Sequence, residues 1–216
     1  SLFSINPYFD IFDKKMFYRS LLSAAFFITI FSSCTSNHRN ENLPEAVAAT
    51  QFGHPSWVMQ GNIYEVNIRQ YTAEGTFNGF ATHLERLKQM GVQTLWFMPI
   101  HPISKKDRKG ELGSYYAISS FYDINPEFGT LDDWKALVKK AKAMGFRVLM
   151  DWVPNHTGAD HPWITSHPSY YVIDSLTGQP LAPFDWSDVR ELNYDNREMR
   201  DSMMAALKYW LNTVPI

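Results

Sequence analysis

Apolar residues recur along this chain with two periods, one of two and one of about 3.6 residues, and the two alternate. The first segment, Ile63-Tyr-Glu-Val-Asn-Ile-Arg-Gln-Tyr71, puts Ile63, Glu65, Asn67 and Arg69 on one face and Tyr64, Val66 and Ile68 on the other, which predicts a strand. Phe77, Phe80, Leu84 and Leu87 follow at helical spacing, with Gly91 as the C-terminal cap. Thr94-Leu-Trp-Phe-Met-Pro-Ile100 is an apolar run that predicts a second strand. Thr130 and Asp133 make a capping box ahead of Trp134, Leu137, Val138 and Ala141, a helical face closed by Gly145. Val148-Leu-Met150 is too short for a helix and predicts a third strand, stopped by Pro154. Met199, Met203, Ala206, Leu207 and Trp210 mark a last amphipathic helix, opened near Asn196.

Two junctions repeat one another: Lys88-Gln-Met-Gly-Val-Gln-Thr-Leu-Trp and Lys142-Ala-Met-Gly-Phe-Arg-Val-Leu-Met each run helix, glycine, strand. Strands alternating with helices predict an α/β fold with a parallel sheet and right-handed crossovers. Three such units cannot close a barrel or cover both faces of a sheet, so an incomplete domain over residues 56–216 is expected, cut at a fragment boundary or a frameshift. Residues 157–190 interrupt the alternation with Pro162, Trp163, Tyr170, Tyr171 and Trp186 and little regular period, which reads as an insertion; it either carries function or packs as a lid.

A net charge of −2 and a pI near 6.4 give no electrostatic footprint for nucleic acid and suit a neutral partner. The aromatic share of 15% suits flat apolar ligand faces such as those of sugars, although core packing accounts for most of these rings. Residues 1–34 are set apart from the fold. Lys14, Lys15 and Arg19 precede an uncharged run from Leu21 to Phe31, then Ser32, Ser33 and Cys34, the pattern of a secretory signal, with Met16 a better start than Ser1. The segment is short for a transmembrane helix. Phe31-Ser-Ser-Cys34 also resembles a bacterial lipobox, which implies lipidation of Cys34 and anchoring in the cell envelope, at the inner or outer membrane. As the single cysteine it forms no internal disulfide. The polar stretch 35–55 reads as a flexible tether.

Candidate chemistry sits at the carboxyl end of the third predicted strand, in Arg147-Val-Leu-Met-Asp-Trp-Val-Pro-Asn-His156. Asp151, Asn155 and His156 bring charge, donors and acceptors to the end of the sheet where α/β folds hold their ligands. A capped strand end with solvated side chains has the same spacing, and both readings are open at this point. A metal-dependent hydrolase built on Asp151 and His156 lacks the further His and carboxylate ligands such a site needs. Asn155-His-Thr157 also fits a glycosylation sequon, which the bacterial-type signal argues against.

Several stretches together resemble the α-amylase family of retaining glycoside hydrolases. Asp151-Trp-Val-Pro-Asn-His156 is similar to the family's signature at the end of the third strand. Gly91-Val-Gln-Thr-Leu-Trp-Phe-Met-Pro-Ile100 is similar to its second-strand motif, and Phe121-Tyr-Asp-Ile-Asn-Pro-Glu-Phe-Gly-Thr130 to the approach to its second helix. Trp186-Ser-Asp-Val-Arg-Glu-Leu-Asn193 resembles a short motif in its insertion domain. In this order they span roughly residues 60–212. The resemblance implies a (β/α)8 TIM barrel of which this chain holds the first three strands and helices, with 157–190 inserted after strand three.

The resemblance also implies roles. His156 matches a histidine that hydrogen-bonds the sugar next to the scissile bond, and Tyr116, placed by its distance from Gly129, matches a tyrosine that stacks on it. Asp151 matches an aspartate that helps hold the catalytic groups. Asn155 matches a position that in many members ligates a structural calcium, and here the pattern departs, because Glu191 stands where many members have an aspartate ligand. The nucleophile and the acid/base glutamate, which must lie about 5 Å apart, belong to later strands and would follow Ile216. The implied activity is hydrolysis of α-1,4-glucans such as starch or maltodextrins. The alternatives are transglycosylation by the same early strands and a non-catalytic glucan-binding protein.

Overall fold

A computed structural model describes Gly53, His54, Ser56–Val58 and residues 60–216. The signal-type segment with Met16 and Cys34, and nearly all of the tether, lie outside the described residues. Strands β1 (Ile63–Val66), β2 (Thr94–Phe97) and β3 (Arg147–Met150) form one parallel sheet in that order, with Glu65 opposite Trp96 and Trp96 opposite Leu149. Helices α1 (Ile68–Tyr71), α2 (Phe77–Ala81) and α3 (Leu84–Gln89) lie between β1 and β2, and α4 (Leu131–Ala143) leads into β3. Because alternate side chains leave a strand on opposite faces, one face gives Val66, Leu95, Phe97 and Val148 to a core shared with Phe77, Phe80, Leu84, Leu87, Trp134 and Leu137. The other face carries Glu65, Trp96 and Leu149, all exposed.

Three predicted boundaries move, each for a local reason. The strand expected from Ile63 to Tyr71 stops at Val66, since the chain turns into α1 and buries Ile68 there. The second strand stops at Phe97 and not Ile100: Met98 still donates its N–H to the Val66 carbonyl (3.0 Å), but Pro99 has none to give. The helix expected over Phe77–Leu87 divides in two, because both the amide and the hydroxyl of Thr82 donate to the Gly79 carbonyl, at 3.2 and 2.8 Å. All four apolar residues of that stripe are nonetheless buried. Helix α4 forms as expected, with both halves of the Thr130–Asp133 capping box made and a left-handed Gly145 at its end.

The segment after β3 has more order than its sequence suggests. Strands β4 (His156–Gly158) and β5 (Val189–Glu191) pair antiparallel and bracket the insertion, which holds the short helix α5 (Trp163–Ser166), with His156 opposite Glu191. Gly158 makes the docking of this ribbon possible, as a Cβ there would lie 2.5 Å from the Ser104 Cβ and 3.0 Å from the Ala117 carbonyl oxygen. With only hydrogen at that point, the Gly158 amide donates to the Ile118 carbonyl, and the ribbon lies against the loop that carries Tyr116. Helix α6 (Arg197–Thr213) starts where the Asn196 side chain accepts the Met199 N–H, and buries Met199, Met203, Ala206 and Trp210; Leu207 is half-buried. It closes a second core of Ile118, Phe121, Tyr170 and Tyr171.

Candidate active site

Tyr116 and His156 come from segments 40 residues apart and meet because the ribbon docks on the loop. His156 is nearly buried; its Nε2–H donates to the Tyr116 carbonyl (3.1 Å) and its Nδ1 accepts from the Asn155 amide (3.0 Å). This pair of partners selects the neutral imidazole with its proton on Nε2. Burial holds the His156 pKa below the usual histidine value, against the opposing pull of the Tyr116 carbonyl and the nearby Asp188 charge. Both ring nitrogens are therefore engaged inside the chain. The expected hydrogen bond from this imidazole to a sugar requires one of them to exchange partners.

Tyr116 is 37% exposed, and its hydroxyl donates to Asp151 Oδ2 at 3.3 Å. Burial raises the Asp151 pKa; the Tyr116 hydroxyl bond lowers it and the neighbouring Glu65 charge raises it further. Burial, then the Asp151 charge, likewise raise the Tyr116 pKa. A tyrosine ring held by a carboxylate at the sheet's carboxyl end is thus assembled from the loop before α4 and the end of β3. Glu65 was not among the site residues expected from the sequence, although its position as the one carboxylate on the alternating first strand was a usable signal.

A cavity of about 330 Å³ opens between these elements, lined by Lys109, Ser114, Tyr116, His156, Trp186, Asp188 and Val189. The Trp186 ring stands 5.8 Å from the His156 ring. The sequence marks Trp186 as an aromatic residue of the insertion and part of a motif, with no site role; the ribbon makes it a wall of the cavity. A larger cavity, about 480 Å³, is lined by residues including Arg108, Asn125, Glu127 and Asp160, and contains none of the expected site residues. Of its two cations, Lys105 and Arg108, the Arg108 guanidinium is already engaged, donating to the carbonyls of Ile103, Ser104 and Glu111.

For a hard cation the side chains expected to contribute are two. Calcium takes about six to eight oxygens; here Asn155 offers an amide oxygen and Glu191, on the strand paired with His156, a carboxylate. Among the described residues no group of three or more His, Cys, Asp or Glu could hold a metal ion. Those two donors alone do not make a cage. Among the described residues, too, no helix is long and apolar enough to cross a membrane.

The family profile described as alpha amylase, catalytic domain, matches residues 31–188. Alpha-amylase 3 of Dictyoglomus thermophilum is 30% identical, over 72% of this chain and 35% of that protein. A trehalose synthase/amylase of Mycobacterium tuberculosis is 28% identical over 76% of this chain and 32% of its own length. Among solved structures, an alpha-amylase from Lactobacillus plantarum superposes with a TM-score of 0.69 at 42% identity, over 71% of this chain and 36% of that one. The chain spans about a third of the length of the curated relatives it matches. Parallel strands in the order β1-β2-β3, a ribbon inserted after the third, and a match to the catalytic-domain profile over most of the chain lead to one assignment: the chain belongs to the alpha-amylase family, with the (β/α)8 barrel as its parent fold.

Proposed function

We propose that this chain is the amino-terminal part of a retaining glycoside hydrolase acting on α-1,4-glucans, in which Tyr116 and His156 hold the sugar next to the scissile bond. The observation that carries the reading is a cavity beyond the carboxyl ends of the parallel strands that is lined by both residues, with Asp151 bonded to the tyrosine hydroxyl. A tyrosine ring covers the apolar face of a pyranose, and the His156 imidazole, with one nitrogen released from its partner in the chain, hydrogen-bonds a sugar hydroxyl. In this reading the nucleophile and the acid/base are supplied by chain beyond Ile216. The 216 residues bind maltooligosaccharides but do not turn them over. Titrating maltohexaose into the full chain tests this: binding that weakens in Tyr116→Ala is expected, and absence of binding, or turnover by the chain alone, overturns it.

Transglycosylation is the second reading, favoured by the trehalose synthase among the relatives. It uses the same early strands, and product analysis on the complete enzyme separates a sugar acceptor from water. Anchoring of the mature protein to the cell envelope through lipidated Cys34 completes the proposal; membrane fractionation of Cys34→Ala identical to wild type rules it out.

A further inference from the structure

We propose that Asn67 and Arg69, at the turn from β1 into α1, are positioning residues for the sugar site, which grip Tyr115 and the loop before it and so fix where the Tyr116 ring stands; this rests on the glucan reading above. The Tyr115 hydroxyl donates to Asn67 Oδ1 at 2.8 Å, and the Arg69 guanidinium lies over the Tyr115 ring, 4.0 Å from its centroid. Arg69 also donates from Nη1 to the Gly113 carbonyl and from Nη2 to the Leu112 carbonyl, both at 3.3 Å. The loop is backed on its other side, since a Cβ on the left-handed Gly113 would lie 2.8 Å from Ile103 Cγ2 and 2.9 Å from Arg108 Cγ.

Two local costs point to this grip. Asn67 occupies the N-cap of α1, where its side chain would ordinarily accept a helix N–H; it makes no such bond, and its oxygen serves Tyr115 instead. Arg69 Nε is buried without a hydrogen-bond partner among the described residues, and no carboxylate there pairs with the guanidinium. An arginine drawn into the fold for stability alone is ordinarily paired and fully bonded. The grip matters most once sugar is bound. Tyr116 is otherwise held by its hydroxyl bond to Asp151 at 3.3 Å and by its carbonyl, which accepts from His156 Nε2. A sugar hydroxyl that takes this nitrogen removes the donor from the Tyr116 carbonyl, and the long bond to Asp151 is a weak hold on the ring by itself. The contacts of Tyr115, one residue earlier, are untouched by that exchange and keep the stacking surface in place.

The test measures maltohexaose binding by the full chain in Asn67→Ala, Tyr115→Phe and Arg69→Lys, each made in the wild type and in a Tyr116→Ala background. In the wild type each is expected to weaken binding by about 3- to 10-fold, the scale of one hydrogen bond, because Phe keeps the ring without the hydroxyl and Lys keeps the charge without the fork. Behind Tyr116→Ala the same changes are expected to stay within about twofold, since nothing remains for them to position. A residue that only braces the fold lowers the thermal midpoint in both backgrounds and leaves the affinity of the folded chain alone. Unchanged affinity in any of the three, with Tyr116→Ala still weakened, overturns the grip and leaves the glucan site standing. Equal losses in both backgrounds overturn it too, because the effect then does not pass through Tyr116. Where binding by Tyr116→Ala falls below detection, amide exchange over residues 113–117 takes the place of the cycle: faster exchange in the three variants with α4 unchanged is expected, and unchanged exchange overturns the grip. No maltohexaose binding by the wild type overturns both this inference and the glucan reading.

Discussion

The core under α4 and the cleft above the strand ends use the same residue types to opposite ends. Trp134 is fully buried between Phe77 and Phe97, with ring centroids 5.2 and 4.9 Å away, whereas Trp186 is 40% exposed on the loop before β5. His101, after β2, is fully buried among Trp152, Trp210 and Phe121; His156, after β3, walls an open cavity. Residue type and position after a parallel strand do not distinguish the two histidines. Their surroundings do: one is closed off by rings on several sides, the other faces space for a ligand.

The contrast between the tryptophans gives the largest expected effect. Trp134→Ala removes a fully buried ring and leaves a cavity, which costs about 3–5 kcal/mol of stability. Trp186→Ala on the exposed loop changes stability by less than about 0.5 kcal/mol. Urea unfolding of both variants measures the difference, and equal losses would erase the distinction between core and cleft.

The histidines sharpen it through pH. The Nδ1–H of His101 donates to the Asp123 carbonyl (3.1 Å), its Nε2 has no partner, and burial holds its pKa down at about 4. The folded state therefore binds this proton less readily than the unfolded chain. Stability contributed by the neutral ring is full above about pH 6.5 and is lost as pH falls from there towards 4, on the order of 3 kcal/mol at the lower limit. His161, buried and also held near 4, adds to the same acid slope. His101→Asn keeps a donor for Asp123 and removes the titration, so the plot of unfolding free energy against pH flattens between 6.5 and 4. An unchanged slope would mean that the acid sensitivity resides elsewhere.

Much of the core side was legible in the sequence. The stripe Trp134, Leu137, Val138 and Ala141 and its capping box depend on neighbours within a few residues, and all are seen in the structure. So do the α6 stripe from Met199 to Trp210 and the short third strand. The cleft was legible only in part, because its geometry comes from contacts distant in sequence. Tyr116 and His156 meet through Gly158, which leaves no mark on any periodicity, and Glu65 and Trp186 join them across the fold. The engagement of both His156 nitrogens was likewise invisible, since it needs the Tyr116 carbonyl and the Asn155 amide in place.

Within the proposed enzyme, His156 and Tyr116 separate by kinetics. A hydrogen bond that strengthens as the sugar flattens acts on turnover, whereas ring stacking acts on ground and transition state together. His156→Ala is expected to lower kcat of the complete enzyme by about 10- to 100-fold, one or two hydrogen bonds of ~1.5 kcal/mol each, with a smaller change in KM. Tyr116→Ala raises KM more than Tyr116→Phe, which keeps the ring and gives up only the bond to Asp151. An unchanged kcat for folded His156→Ala would make that histidine a brace for the strand end, as His101 is for the core.

Calcium gives the smallest expected effect. Asn155 and Glu191 sit at the His156–Glu191 end of the β4–β5 ribbon, and they offer two oxygen donors where calcium takes six or more. Backbone carbonyls and water would have to supply the rest, which sets affinity in the millimolar range of weakly chelating sites. At a calcium concentration equal to such a dissociation constant, binding to the folded state alone adds about 0.4 kcal/mol, by mass action. For a chain of this size that is a rise of about 1–2 °C in thermal midpoint. The measurement is a pair of melting curves in EDTA and in about 1 mM calcium, repeated for Asn155→Ala, in which the small rise is expected to disappear. A rise of 5 °C or more, on the scale of over 1 kcal/mol, would mean that the ribbon end holds a nearly complete cage. It would also make Asn155 part of the framework that keeps β4 in place, and the division between core and cleft would then have to be drawn on the far side of the ribbon.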